Sequence, residues 1–128
     1  MKGRVINGGQ VSGQAFVLDT PFSFIGDFDP ETGNVTIDGH PLSGRSLAGK
    51  VLVCPTGKGG TIAPFIAYQA KKNGVAPAAI VCLEAEPLLC ECALVIDIPM
   101  LDRFDSDLFE VIKMDQSISI RGEEVHVG

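Results

Sequence analysis

Residues 50–61 read KVLVCPTGKGGT, an apolar run that ends in a glycine-rich turn. A continuous apolar run that stops at a proline is typical of a short strand buried on both faces of a sheet, and we predict the central strand here. Apolar side chains then recur at helical spacing over residues 62–74. The sequence predicts a helix in which Pro64 lies in the first turn, Thr61 can cap the start and Gly74 closes the end.

The other elements are predicted on both sides of this strand and helix. Residues 78–83 return as a second buried strand, so that strand, helix and strand form a parallel unit. We further predict short strands over residues 4–6, 13–18 and 34–37, and a short strand or turn over residues 98–101. Helices are predicted over residues 86–96 and 107–113, and residues 117–121 and 124–127 form a closing hairpin. The fold class is therefore α/β and β-rich, with one domain over residues 1–128.

The composition limits the partners and the compartment. The chain has 128 residues, of which 45% are hydrophobic, and a formal net charge of -6. Nucleic acids and anionic membrane surfaces are poor partners for such a chain, because binding them rests on neutralising phosphates with Lys and Arg. No apolar stretch reaches the roughly 18 residues that a membrane-spanning helix needs, and residues 1–10 contain no apolar run of an export signal. We expect a soluble cytoplasmic protein with reduced thiols.

The glycine-rich turn, residues 55–61, is the sharpest candidate for a binding site. Glycines between a buried strand and a helix let successive backbone N–H groups converge, the helix start adds positive potential, and Lys58 supplies a mobile cation. The pattern predicts an anion site, although a tight turn whose glycines only relieve backbone crowding has the same sequence. A nucleotide-binding P-loop is excluded, because Leu52 stands where the first glycine of that motif would be.

The remaining chemically reactive residues have weaker patterns. Cys90 and Cys92 lie two positions apart on a predicted helix and therefore point about 200° apart, so they cannot easily hold one metal ion. We expect all four cysteines to pack in the core; they are Cys54, Cys82, Cys90 and Cys92. His40 and His126 have no neighbour in the sequence that would orient them as catalytic bases. A cluster of acidic residues between positions 102 and 110 is expected to form a solvated face; its members are Asp102, Asp105, Asp107 and Glu110.

Several stretches carry a resemblance to a known family. Residues 49–61, 72–80 and 97–100, together with DPETG at residues 29–33, resemble the small swivel-domain subunit of the aconitase X family over nearly the whole chain. The resemblance implies a swivelling β/β/α domain that docks on a larger subunit bearing an iron–sulfur cluster. Members of the family dehydrate small hydroxy acids, such as mevalonate 5-phosphate or cis-3-hydroxyproline. The cluster acts as a Lewis acid on the departing hydroxyl, and the swivel domain supplies a serine as the base.

This sequence departs from that pattern at the serine itself. The serine would follow Gly57, Lys58 and Gly59 directly, but that position is Gly60. The resemblance places Gly57, Lys58, Gly59 and Gly60 at the substrate, and Thr61 is our candidate for the missing base. The alternative is that Thr61 only caps the helix. No metal ligand is expected in this chain, since the cluster would lie in the large subunit.

Two hypotheses of different classes follow. In the first, the chain is the small subunit of a hydro-lyase, binds a small anionic hydroxy acid together with its large subunit, and is inactive alone. In the second, it is a non-catalytic swivel module that binds and regulates a partner enzyme, a hypothesis that Gly60 favours. Residues 59–64 are also similar to a mobile phosphohistidine domain, but the phosphorylated histidine would fall at Pro64, which excludes phosphotransfer.

Overall fold

Seven strands form one mixed sheet in the computed structural model, which describes residues 1–128. In chain order the strands are β1 (Arg4–Asn7), β2 (Gln10–Val17), β3 (Val51–Cys54), β4 (Ala79–Cys82), β5 (Met100–Asp102), β6 (Ser117–Arg121) and β7 (Glu124–Val127). The helices are α1 (Ala63–Lys72), α2 (Pro87–Val95) and α3 (Leu108–Val111). The strand order across the sheet is β1-β5-β4-β3-β2-β6-β7.

Strand β3 lies in the middle of the sheet, as predicted. It pairs in parallel with β2 on one side and with β4 on the other, and β4 pairs in parallel with β5. All of its residues are buried. The outer strands are antiparallel: β1 pairs with β5, while β6 and β7 extend the other edge as a hairpin. The predicted parallel unit of strand, helix and strand is confirmed.

The sheet separates two apolar cores. Along β3, Leu52 and Cys54 belong to the core under α1 and α2, whereas Val51 and Val53 belong to the core that includes Leu108 of α3. This division follows from the strand geometry, in which successive side chains point to opposite faces. No helix in the structure is both long enough and apolar enough to cross a membrane.

The end of α1 confirms its predicted closure. Gly74 has a φ of +74°, in the left-handed region that glycine adopts readily. The N–H of Gly74 donates to the Lys71 carbonyl at 3.1 Å, and the N–H of Val75 donates to the Ala70 carbonyl at 2.9 Å. This pair of bonds satisfies carbonyl groups that the last turn of a helix leaves free.

Two predicted elements differ from the structure. The strand predicted over residues 34–37 is wrong: this segment forms only isolated bridges, between Phe28 and Val35 and between Asn34 and Ser46. Its β-type residues pair with nearby loop backbone instead of with a long partner strand. The helix predicted over residues 107–113 is shorter, since α3 covers only Leu108–Val111.

The expectation of a solvated acidic face is wrong for one residue, Asp102. It is fully buried, and its two carboxylate oxygens accept hydrogen bonds from Nε and Nη2 of Arg4, both at 2.8 Å. The N–H of Ala85 donates to it as well, at 2.7 Å. Burial alone would raise the pKa of the Asp102 carboxyl, but the bonds from Arg4 and Ala85 overcome that effect and hold the pKa below its usual value.

We predict that Asp102→Asn lowers the free energy of unfolding by about 2 kcal/mol at neutral pH, because it removes a buried, paired charge. A carboxyl whose pKa is lowered by folding stabilises the protein above its unfolded pKa of about 4, and this contribution is lost as the pH falls through the folded-state pKa. The difference between variant and wild type should therefore shrink below about pH 4 in urea titrations.

The matched control for this experiment is Glu110→Gln, which alters an exposed residue of the same acidic group. Its effect should stay within about 0.5 kcal/mol at every pH. A loss in the control as large as that in Asp102→Asn would show that the Arg4 pair is not the cause.

Candidate active site at the glycine-rich turn

The glycine-rich turn lies at the edge of the sheet where the parallel strands end. Because β2, β3, β4 and β5 run in parallel, the segments that follow all four strands emerge at this same edge. Ligands of parallel α/β sheets bind outside the carboxyl ends of the strands. The residues after β3, which were singled out from the sequence, therefore meet side chains that the sequence places far away.

The backbone of the turn is held by the segment that follows β2. The N–H of Phe22 donates to the Thr56 carbonyl at 3.0 Å, and the N–H of Lys58 donates to the Phe22 carbonyl at 3.3 Å. Gly57 is buried between these two bonds. A Cβ at Gly57 would lie 2.6 Å from Oε1 of Glu86 and 2.8 Å from Cβ of Leu89, so only glycine lets the first turn of α2 approach this closely.

Two carboxylates face the turn, and neither was among the site residues predicted from the sequence. Asp27 lies beside Lys58, with 2.8 Å between Oδ2 and Nζ. Oε1 of Glu86 accepts the N–H of Gly59 at 3.2 Å. Lys58, predicted to be a mobile cation, is therefore paired with Asp27 in the structure, and the amides of Lys58 and Gly59 already have acceptors within the chain.

Glu86 connects the turn to the second helix. It is the N-cap of α2, where its side chain accepts the N–H groups of Leu88 at 2.8 Å and Leu89 at 3.0 Å. One carboxylate thus satisfies two amides of the helix and one amide of the turn. Glu86 stabilises α2, because negative charge at a helix N-terminus is favourable. Its hydrogen bond to the Gly59 amide also fixes the position of the turn.

The N–H groups of Gly60, Thr61 and Ile62 have no acceptor in the structure. Helix α1 begins at Ala63, its N-cap is Ile62, and no side chain caps it. The alternative that Thr61 serves only as the cap is therefore wrong, and its exposed hydroxyl has no hydrogen-bond partner. Free amides at a helix start attract an anion. These three amides and the Thr61 hydroxyl are the open polar groups of the site.

Gly60 has a backbone that does not suit the serine expected there. Its φ is +101°, and a Cβ would lie 2.8 Å from Cδ1 of Ile25 and 3.4 Å from Oγ of Ser23. Ser23 is 5% exposed, and its hydroxyl donates to the Gly59 carbonyl at 2.8 Å. The Ser23 hydroxyl, which lies beside the position where the family has its serine, therefore already donates its proton to a backbone carbonyl. Restoring a serine by Gly60→Ser would strain the turn.

The structure gives His40 a partner that the sequence did not reveal. Its Nε2 lies 2.9 Å from Oδ1 of Asp19, and its Nδ1 accepts the N–H of Leu42 at 3.1 Å. The hydrogen bond from His40 lowers the pKa of the Asp19 carboxyl. His126 pairs with Glu124 at 3.3 Å in the exposed hairpin. Asp19 therefore orients the His40 ring from 21 positions away, where the local sequence could not show it.

The cysteines do not form a metal site. All four are free thiols, and Cys54, Cys82 and Cys92 are buried. Burial raises the pKa of Cys82 and of Cys92 to about 12 and that of Cys54 well above its usual value. Metal ligation needs the thiolate form. No group of three or more His, Cys, Asp or Glu side chains is arranged to hold a metal ion.

Comparisons with known proteins agree on one family. A family model described as the aconitase X swivel domain matches residues 1–127. The phosphomevalonate dehydratase small subunit of Methanosarcina mazei is 41% identical, covering 98% of this chain and 88% of that protein. The protein of the same name from Methanothermobacter thermautotrophicus is 43% identical, covering 94% and 92%.

A solved structure shares the fold. The crystal structure of Thermococcus kodakaraensis aconitase X in its holo form matches with a TM-score of 0.91 and 40% sequence identity. The match covers 99% of this chain and 96% of that chain. The fold class predicted from the sequence is confirmed by this likeness.

We predict that Gly57→Ala destabilises the chain by about 1–3 kcal/mol, because the added Cβ would lie 2.8 Å from Cβ of Leu89, which the α2 backbone holds in place, and 2.6 Å from Oε1 of Glu86. The matched control is Gly8→Ala, where the nearest atom to the added Cβ would be Cγ1 of Val5, at an ordinary 3.7 Å. Thermal or urea unfolding measures both variants. Equal stability of the two would show that the turn does not depend on the close approach of Glu86.

Proposed function

This chain belongs to the aconitase X swivel-domain family, and on that premise we propose that it completes the active site of a hydro-lyase as its small subunit. The observation that carries the proposal is the set of free amides at Gly60, Thr61 and Ile62, next to Lys58 at the carboxyl edge of the sheet. The substrate is a small anionic hydroxy acid. Phosphorylated mevalonate is the first candidate, since the relatives are named for it. The alternative is cis-3-hydroxyproline.

Some residues of the turn bind the substrate, and Thr61 takes part in proton transfer. The three free amides receive a negatively charged oxygen of the substrate, because the start of α1 favours an anion there. Lys58 adds a charge that can orient the same group. The Thr61 hydroxyl stands beside these amides, which favour its deprotonated form. As an alkoxide, once its own proton has passed to a base of the large subunit, its oxygen takes the proton from the carbon next to the one that loses its hydroxyl; as a neutral hydroxyl, it orients the substrate for that step.

The iron–sulfur cluster that the family implies does not fit this chain. Cluster ligation uses several thiolates, whereas three of the four cysteines here are buried and no three His, Cys, Asp or Glu side chains are arranged to hold a metal ion. We place any cluster in the large subunit. This chain then contributes anion binding and a hydroxyl, and alone it has no hydro-lyase activity.

An exposed apolar face next to the turn suits the large subunit as its partner. Phe65 is 72% exposed, and the other large apolar side chains exposed on α1, at its N-cap and on α2 are Ile62, Tyr68, Leu94 and Val95. Between the helices lies a groove of about 260 Å³, lined by Pro64, Phe65, Tyr68, Glu91 and Val95. We call this surface the helix face.

Two observations suit the large subunit as the occupant of the helix face. The helix face begins at Ile62, directly after Thr61, so one protein that covers it also closes the free amides. Its apolar area is of the order of several hundred Å², a large part of the roughly 800 Å² that each partner buries in a stable interface. A partner seated there would bring its own groups against the turn.

The alternative function is a swivel module that regulates a partner enzyme without catalysis. The observation that favours it is Gly60, whose side-chain space is filled by Ile25. In that case the chain binds the large subunit through the helix face, and no substitution of Thr61 changes a rate. Activity of the assembled complex separates the two functions.

We predict that Thr61→Ala lowers kcat of the reconstituted complex by a factor of about 10²–10⁴, the usual loss for a missing base, while Thr61→Ser retains most of it. The assay combines the large subunit with this chain under anaerobic conditions and screens phosphorylated and unphosphorylated hydroxy acids. Affinity for the large subunit should be the same for both variants. Unchanged turnover in Thr61→Ala would remove this residue from the mechanism.

We predict that Phe65→Asp weakens binding to the large subunit at least thirtyfold, an effect of about 2 kcal/mol that is typical of a central aromatic contact. The matched control is Val111→Asp, which alters an exposed apolar residue on α3. Calorimetry measures both affinities, and light scattering measures self-association. Dispersal of a homodimer by Phe65→Asp, without loss of large-subunit binding, would assign the face to a second copy instead.

A further inference from the structure

Asp27 is a buried carboxylate that the proposed reaction does not use. The residue is 5% exposed, and its Oδ2 accepts the N–H of Ser23 at 3.0 Å. The same oxygen lies 2.8 Å from Nζ of Lys58. A buried charge is unfavourable unless it is paired and hydrogen-bonded, so Lys58 is the group that balances Asp27.

The two members of this pair differ in their freedom to move. The Asp27 carbonyl accepts the N–H of Thr36 at 2.9 Å. The neighbouring rings of Phe22, Phe24 and Phe28 pack edge to face in the core, with 5.2 Å between the centroids of Phe22 and Phe24. The Lys58 side chain is 49% exposed and has a flexible four-carbon stem. Asp27 is therefore the fixed member, and Lys58 is the one that can turn toward a ligand.

We propose that Asp27 is a positioning residue of the anion site, whose carboxylate holds the Lys58 ammonium beside the glycine-rich turn and competes with an incoming anion for that charge. This inference rests on the function proposed above, because it assigns a ligand to the same turn. Asp27 then sets how tightly the site binds an anion and keeps Lys58 in place when the site is empty.

The backbone of the turn does not depend on the Asp27 side chain. Ser23 holds the Gly59 carbonyl through its hydroxyl, and Phe22 pairs with Thr56 and Lys58 through backbone bonds. An asparagine at this position keeps an oxygen that can accept the N–H of Ser23, but it carries no charge. Asp27→Asn therefore frees Lys58 and leaves the turn as it is.

The experiment titrates the isotopically labelled full chain with inorganic phosphate and follows the amide signals of Gly60, Thr61 and Ile62. It compares wild type, Asp27→Asn, Lys58→Met and the double variant. Asp27→Asn should lower the Kd for phosphate about three- to tenfold, since an ion pair with one exposed member has a modest strength. Lys58→Met should weaken binding, and in its background Asp27→Asn should have no further effect.

Three results would overturn the role of Asp27. The first is an unchanged or weaker phosphate affinity in Asp27→Asn. The second is a gain in phosphate affinity from Asp27→Asn that is just as large when Lys58 has been replaced by Met. The third is the lack of any phosphate-dependent shift of the amide signals in all four proteins. A purely structural residue gives the first of these, because damage to the turn does not tighten binding. If Asp27→Asn does not fold, Asp27→Ser takes its place, and failure of both variants to fold would also make Asp27 a structural residue.

The matched control is Asp38→Asn, which removes one negative charge from an exposed turn. Its Kd for phosphate should equal that of wild type. A gain in phosphate affinity as large as that of Asp27→Asn would show that net charge alone causes the effect. In an active complex, Asp27→Asn should also lower the KM for an anionic substrate. If the phosphate series behaves as expected while the complex dehydrates no hydroxy acid, the proposed function fails and the role of Asp27 stands.

Discussion

The burial of β3 on both faces is the constraint from which the site follows. A strand with apolar side chains on both faces must have cores above and below it, and Leu52 and Val53 each belong to a different one. Its parallel neighbours β2 and β4 must then end at the same edge as β3 does. The chain leaves this edge at Pro55 and returns as α1, so the turn between them is exposed at the place where four loops meet.

The elements that the sequence predicted correctly are those defined by local patterns. The central strand, α1, α2 and the hairpin each have their periodicity and their end signals within a few residues, and tertiary contacts only reinforce them. The strand expected over residues 34–37 failed for the opposite reason: its β-type residues found only single bridges in a loop. Asp102 was misread because its partner Arg4 lies 98 positions away, and no local pattern connects the two.

The same distinction explains the site. The glycine-rich turn could be found from the sequence, because glycines next to a strand and a helix have a local meaning. Asp27, Ser23 and Glu86 could not, since they reach the turn across 27 to 36 residues of sequence. The DPETG segment that carries part of the family resemblance lies just after Asp27, and this proximity was the only signal that the segment after β2 belongs to the site.

The carboxylates that order the turn also limit what it can bind alone. Asp27 balances Lys58, and Glu86 occupies the Gly59 amide, so the positive potential that remains unbalanced in the turn comes from the amides of Gly60, Thr61 and Ile62. The chain around them has a net charge of -6. Partial charges on three amides are enough to orient one anionic oxygen, but a phosphorylated hydroxy acid has several. The substrate proposed for this site would therefore need cationic groups from another protein, which gives a physical reason for the proposed division of the active site between two subunits.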